Sequence, residues 1–211
     1  MANRKNKQKR FYTLLVQVIL VFMAVLALFP FLWMISTSLK GSEEAFAYPP
    51  KLIPEIFHWD NYEKAMTALP FGKAYLNSLK LAVINVTGQV LTSAMAGYAL
   101  GKLRFRGSGV VFGGFIAVMM VPYTVISIPL FMIFSQLNLI DTHLSIILMT
   151  VAYMPMGVFL CRQFIMALPD ELMEAGIIDG ANYGSMFFRI VLPLVKPALA
   201  SLGIFSFMWN W

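Results

Sequence analysis

Leu168-Pro169-Asp170-Glu171-Leu172-Met173-Glu174-Ala175-Gly176-Ile177-Ile178-Asp179-Gly180-Ala181 is a polar interlude between apolar runs, and four of the chain's ten carboxylates fall within it. What flanks it decides the fold class. Residues 11–39, 81–101, 107–140 and 142–161 contain no Asp, Glu, Lys or Arg. A bilayer-spanning helix needs roughly 20 apolar residues, and a charge at its centre costs about 2.5–3.5 kcal/mol on insertion scales. Charge-free runs of this length predict an all-α, polytopic transmembrane helical bundle. Only 12% of the 211 residues are charged, against about 25% in soluble domains, which agrees.

Working outward from the interlude, spans are predicted at about 11–35, 77–100, 108–128 and 143–160. Pro30 is expected to kink the first and Pro155 the fourth. The run 107–140 is too long for one crossing at about 1.5 Å per residue. Pro122 and Pro129 divide it, and 129–141 is expected to return as a half-helix or loop. Residues 36–76 predict a compact external cap, in which Asp60-Asn61 caps a short helix at 62–68. Ser93, Gly97 and Gly101 recur at four-residue spacing, a pattern that lets helices approach closely. After Pro197 an apolar run reaches Trp211 and stops. About 14 residues do not cross a hydrocarbon core of roughly 30 Å. The segment 197–211 is therefore expected to be incomplete, the chain ending within it.

The net charge of +6 does not point to nucleic acid, because of where it sits. Arg4, Lys5, Lys7, Lys9 and Arg10 precede the first run, as a topology signal would. That run exceeds a signal-peptide core of about 7–15 residues, so it reads as an uncleaved helix behind a basic tail, 1–10. With the tail inside, eleven of the sixteen Lys and Arg fall in cytoplasmic segments and five outside, which supports a cytoplasmic N-terminus. The single Cys161 offers neither disulfide nor metal cluster and reads as a small hydrophobe.

Catalytic signatures are missing. Gly97-Tyr98-Ala99-Leu100-Gly101-Lys102-Leu103 is one residue short of a phosphate-binding loop and lacks its hydroxyl. Gly180-Ala181-Asn182-Tyr183-Gly184 has the spacing of a nucleophile elbow without the serine. His58 and His143 stand alone. With no carboxylate in the apolar runs, a proton relay has nothing to work with. A transport role would draw its energy from another subunit.

The interlude itself, within the loop 162–196, reads as helix–turn–helix. Pro169 stops the preceding segment, and Asp170 is expected to cap a helix with Glu171 and Glu174 in its first turn. Leu172, Met173, Ile177 and Ile178 form its apolar face. Asp179-Gly180 makes the turn, and Asn182 caps a second helix reaching about Val191. An interfacial helix favours Lys and Arg on its polar face, whereas this one presents carboxylates, so a protein partner is expected.

Glu174-Ala175-Gly176-x-x-Asp179-Gly180-Ala181, then Phe187, Ile190 and Leu192-Pro193-x-x-x-Pro197, resembles the EAA loop of ABC importer permeases, with Gly176 where alanine is usual. Tyr98–Gly107, Asn77-Ser78-Leu79, Asn138-Leu139-x-Asp141-Thr142 and Trp209-Asn210 are similar to the carbohydrate-uptake, maltose-transporter-type branch. The resemblance covers nearly all of 11–211. It implies a type I importer permease of six spans, of which this chain reaches the fifth, in a bacterial or archaeal plasma membrane. It implies a second related permease subunit, an ABC ATPase dimer that binds the ATP, and an extracytoplasmic sugar-binding protein, in contact with membrane lipid and not nucleic acid. By the same likeness Glu174, Ala175, Gly176, Asp179, Gly180 and Ala181 form the ATPase-coupling element, and the chain is non-catalytic, with no cofactor of its own. A permease for another solute (peptide, phosphate or amino acid) and a non-transport scaffold are the alternatives. Asn85, Gln89, Tyr153 and Asn210 either face a translocation path or bond neighbouring helices.

Overall fold

The computed structural model describes residues 2–103 and 105–211, with side chains from Arg10 onward except that of Phe11. Arg104 and the side chains of Arg4, Lys5, Lys7 and Lys9 in the basic tail lie outside the described residues. Among the described residues all regular structure is helical. Two helices are long and apolar enough to cross a membrane alone, and up to five spans result if each of three bent pairs counts as one.

The chain forms two compact units, Met1–Gly72 and Lys73–Trp211. In the first, α1 (Ala2–Ser38) contains the apolar stretch Tyr12–Ser38. The short α2 (Ser42–Ala45) and α3 (Asp60–Ala68) follow. The cap is compact, as expected, but Asn61 works differently from the expectation. Its Nδ2 donates to the carbonyls of Ser38 (3.0 Å) and Lys40 (2.9 Å), so it closes the C-terminal end of α1 instead of starting α3. A local capping rule cannot see acceptors twenty residues away. Asp60 instead pairs with Lys64 at 2.5 Å, and that ammonium holds the carboxyl below its ordinary value.

The second unit begins within α4 (Phe71–Lys102), which starts six residues before the predicted span. Lys73 and Lys80 mark where apolar character begins, not where the helix does. Next come α5 (Ser108–Met119) and α6 (Tyr123–Gln136), bent by 102°. The expected helix over 108–128 is thus corrected: the break falls at Pro122, and Pro129 lies inside α6. Pro122 forces Val121 away from helical geometry. Pro129 forfeits one backbone bond, and the turns around it keep theirs because apolar surroundings offer no other partners. α7 (His143–Ala152) and α8 (Pro155–Met166) bend by 40° at Pro155, as predicted. The remainder is α9 (Glu171–Ile178), α10 (Tyr183–Met186), a π-helical turn (Phe187–Val191), α11 (Leu192–Leu194) and α12 (Lys196–Asn210).

The core joins α4, α8, the π turn and α12 through Ala94, Tyr98, Cys161, Ile165, Phe187, Val191, Ala198 and Leu202. Small residues on α4 permit this. A Cβ on Gly97 would meet Cys161 Cβ at 2.7 Å and the Arg162 backbone nitrogen at 2.8 Å. Ser93 fills the equivalent space against Gly157. Overpacking of this kind costs about 1–3 kcal/mol. Gly97→Leu is expected to lower the thermal unfolding midpoint of the detergent-solubilised protein, measured by fluorescence-detected size exclusion. Gly72→Ala, where nothing lies within 4 Å of an added Cβ, should leave it unchanged or slightly higher.

Candidate functional site

The helix–turn–helix predicted over 170–191 is present. Asn182 caps α10 by accepting from the Ser185 amide at 2.8 Å. At the end of α9, the Ala181 amide donates to the Gly176 carbonyl (2.9 Å) and the Gly180 amide to Ile177 (3.0 Å). This paired closure needs a left-handed residue between, and Gly180 supplies it with φ of +74°. Gly176 is the buried residue of α9. A Cβ there would meet Met186 Sδ and Ile190 Cδ1 at 3.2 Å, so glycine seats α9 against α10 and the π turn. Position 176 is where the helix is held.

Two expectations for α9 are corrected. Asp170 makes no side-chain cap. Its carboxylate faces Lys102 at the end of α4, whose Nζ donates to Asp170 Oδ1 (2.5 Å) and to the Leu168 carbonyl (2.6 Å). The Lys102 side chain is only 6% exposed. Ile177 and Ile178 do not join the apolar face with Met173; they are exposed, Ile178 to 84%. Gly176 takes the inward position they were expected to hold, which turns both isoleucines outward.

Glu174, Ala175, Asp179 and Gly180 are exposed, and Ala181 is half-buried. Glu171, Glu174 and Asp179 have no ion-pair partner among the described residues. The α9 surface therefore presents uncompensated carboxylates beside exposed isoleucines. Alongside runs a groove of about 920 Å³ between α9 and the α4–α5 turn, lined by Tyr98, Lys102, Arg106, Met173, Glu174 and Tyr183 among others. The groove and the Lys102 clamp were not anticipated. A lone lysine closing an apolar helix was the available signal.

Behind α9 the second half of the element is structural. Phe187 packs against Tyr98 with ring centroids 5.4 Å apart and planes tilted by 36°, and Val191 is fully buried. Arg162 ties α8 to the end of α4 through the Leu100 carbonyl (3.1 Å) and lies 4.0 Å over the Phe112 ring.

A separate polar cluster contains Asn85, Gln89 and Asn210. Asn85 Nδ2 donates to Asn210 Oδ1 (3.0 Å), Asn210 Nδ2 to the Ser206 carbonyl (2.7 Å), Ser206 to Gln89, and Gln89 Nε2 to the Thr150 carbonyl (2.8 Å). These side chains bond neighbouring helices. Gln89, Ser206 and Tyr153 also line a cavity of about 360 Å³.

Comparison with known proteins places these features. Residues 89–211 match the family described as "Binding-protein-dependent transport system inner membrane component". The chain is 33% identical to the inner membrane ABC transporter permease protein YcjP of Escherichia coli (strain K12), over 89% of this chain and 68% of that protein. It is 32% identical to the arabinooligosaccharides transport system permease protein AraQ of Halalkalibacterium halodurans, over 98% of this chain and 75% of that one. A solved structure, a bacterial ABC transporter involved in the import of the acidic polysaccharide alginate, superposes with a TM-score of 0.81 at 25% identity, covering 96% of this chain and 71% of that one.

The Lys102 clamp predicts a local stability effect. A hydrogen bond to a charged group contributes about 1.5–3 kcal/mol, so Lys102→Met is expected to speed amide hydrogen exchange across α9 by roughly tenfold or more. Asp170→Asn should produce a smaller rise, because the Leu168 carbonyl still holds the ammonium.

Proposed function

Because the chain belongs to the family of binding-protein-dependent transport system inner membrane components, and is an ABC transporter permease of the carbohydrate-uptake type, we propose that it forms the membrane passage of an ATP-driven sugar importer with a second, related permease. Residues 1–10 act as a cytoplasmic tail and 11–211 as the transmembrane domain, with the N-terminus inside. An extracytoplasmic binding protein delivers the sugar, and ATP is bound and hydrolysed by two partner ATPase subunits. The 170–191 segment docks on one of them. Glu174, Ala175, Asp179, Gly180 and Ala181 form the contact, with Glu174 making a charge-assisted bond to a basic residue of the ATPase, while the buried Gly176 of the same coupling element seats α9 behind it.

The observation that carries this reading is the division of labour within the segment. Its outer helix α9 exposes isoleucines, and carboxylates with no ion-pair partner among the described residues, while its inner part, Phe187 and Val191, belongs to the core shared with α4, α8 and α12. A partner that grips α9 differently in two states thereby biases the bundle between two arrangements, which is what coupling requires energetically.

The test is co-purification in mild detergent with transport measured in parallel. Wild type is expected to bring down an ATPase and a second permease. Glu174→Lys should lose the ATPase while inserting normally, since its side chain is exposed. Gly180→Pro, which cannot adopt the φ of +74° found there, should cut transport at least tenfold. Full transport by both variants at normal membrane levels would exclude the docking role.

A further inference from the structure

We infer that the loop between α1 and α3 is a membrane-interface anchor, holding the end of the first span at headgroup level through a fixed aromatic patch. The inference is independent of the coupling role and of the side of the membrane the loop faces. Its starting point is length. The apolar stretch Tyr12–Ser38 has 27 residues, which at about 1.5 Å per residue is roughly 40 Å. That matches a bilayer of about 40–45 Å including its headgroups, not the hydrocarbon core of about 30 Å alone. The last turn of α1 thus reaches the headgroup layer.

The loop is held at that level by bonds to the same turn. Ser36 donates its hydroxyl to the Leu52 carbonyl, and Lys40 donates its ammonium to the Lys51 carbonyl. The His58 amide donates to the Leu39 carbonyl at 2.9 Å, and Ser38 and Tyr62 share a hydroxyl hydrogen bond of 2.7 Å. Asn61 closes the helix end from the other side. Lys40 is buried, with its ammonium 4.8 Å over the Trp33 ring. The loop cannot swing away without breaking this set together.

Most of the large side chains that the held loop turns outward from Phe46 to Trp59 are apolar or aromatic. Phe46 is 91% exposed, Tyr48 95%, Ile53 72% and Trp59 67%, with Ile56 and Phe57 also exposed. Phe57 and Trp59 stack with centroids 6.5 Å apart. In the same loop Lys51 and Glu55 neutralise one another in an ion pair. Lipid is the occupant that fits. The patch sits on a loop bonded directly to the last turn of an apolar span, and Trp and Tyr with an apolar body and a polar edge settle at the headgroup boundary.

Depth is measurable by nitroxide accessibility in the purified transporter, reconstituted in phosphatidylethanolamine and phosphatidylglycerol vesicles. The lone Cys161 is buried, so Tyr48→Cys and Trp59→Cys label selectively, with Glu43→Cys as the water-exposed reference. At both patch positions the ratio of oxygen to water-soluble nickel-chelate accessibility is expected to exceed the reference by roughly threefold or more, as for a headgroup-level side chain. Ile53→Cys reads the same patch if either variant folds poorly. Nickel accessibility equal to that at Glu43 would overturn the inference in favour of open solvent. Exclusion of both reagents would overturn it in favour of a protein cover.

Discussion

The unit from Lys73 to Trp211 depends on one close approach, that of α4 to α8 at Gly97. In lipid no hydrophobic force drives helices together, because the tails are as apolar as the side chains, so association rests on contact area and on polar bonds. Gly97 supplies the contact by letting its own backbone lie against Cys161 and the Arg162 amide. Around it the seam changes character along its length. Its packed side chains are apolar, Ala94, Tyr98 and Ile165. At the C-terminal end of α4, beside Ile165, Arg162 and Lys102 close it with bonds to backbone carbonyls. Removing the glycine's freedom would separate the apolar part and misplace the cations that finish it.

The acidic helix–turn–helix is joined to that seam twice. Lys102 holds its entry at Leu168 and Asp170, and Phe187 and Val191 place its exit within the core. Between these fixed points α9 exposes Glu171 and Glu174, which have no ion-pair partner among the described residues. The two halves therefore answer to different constraints. The exit must match the packing of α4, α8 and α12, whereas α9 needs only to keep its shape and its exposed face. Gly180 serves the first requirement of α9, a turn with positive φ, and Gly176 the second, a close seat on Met186.

Proline has three outcomes in this chain, and context separates them. At Pro122 the helix ends, at Pro155 it bends and restarts, and at Pro129 it continues. The chemistry of the residue is the same each time: a missing donor and a fixed φ. Pro155 occupies the first turn of α8, where its missing amide is no loss. Pro129 lies in mid-helix and only removes one bond. Spacing along the sequence ranked Pro129 as the boundary, and spacing carries no information about which neighbouring turns retain their bonds.

Much of this molecule was legible in its sequence because membrane insertion is decided by composition along the chain. Charge-free runs specify helices whatever their neighbours do, since every backbone group must be satisfied within its own segment. Local rules also placed the turn at Gly180, the cap at Asn182 and the bend at Pro155, all set by residues within one turn of each other. Tertiary structure decided what lies between distant residues. Lys102 meets Asp170 across 68 positions, Asn61 closes a helix that ended 23 positions earlier, and Asn85 bonds Asn210 across 125. In each case a local rule assigned the side chain to the nearest helix end or left it open. The deciding partner was a carbonyl or carboxylate that only packing brought within hydrogen-bond reach.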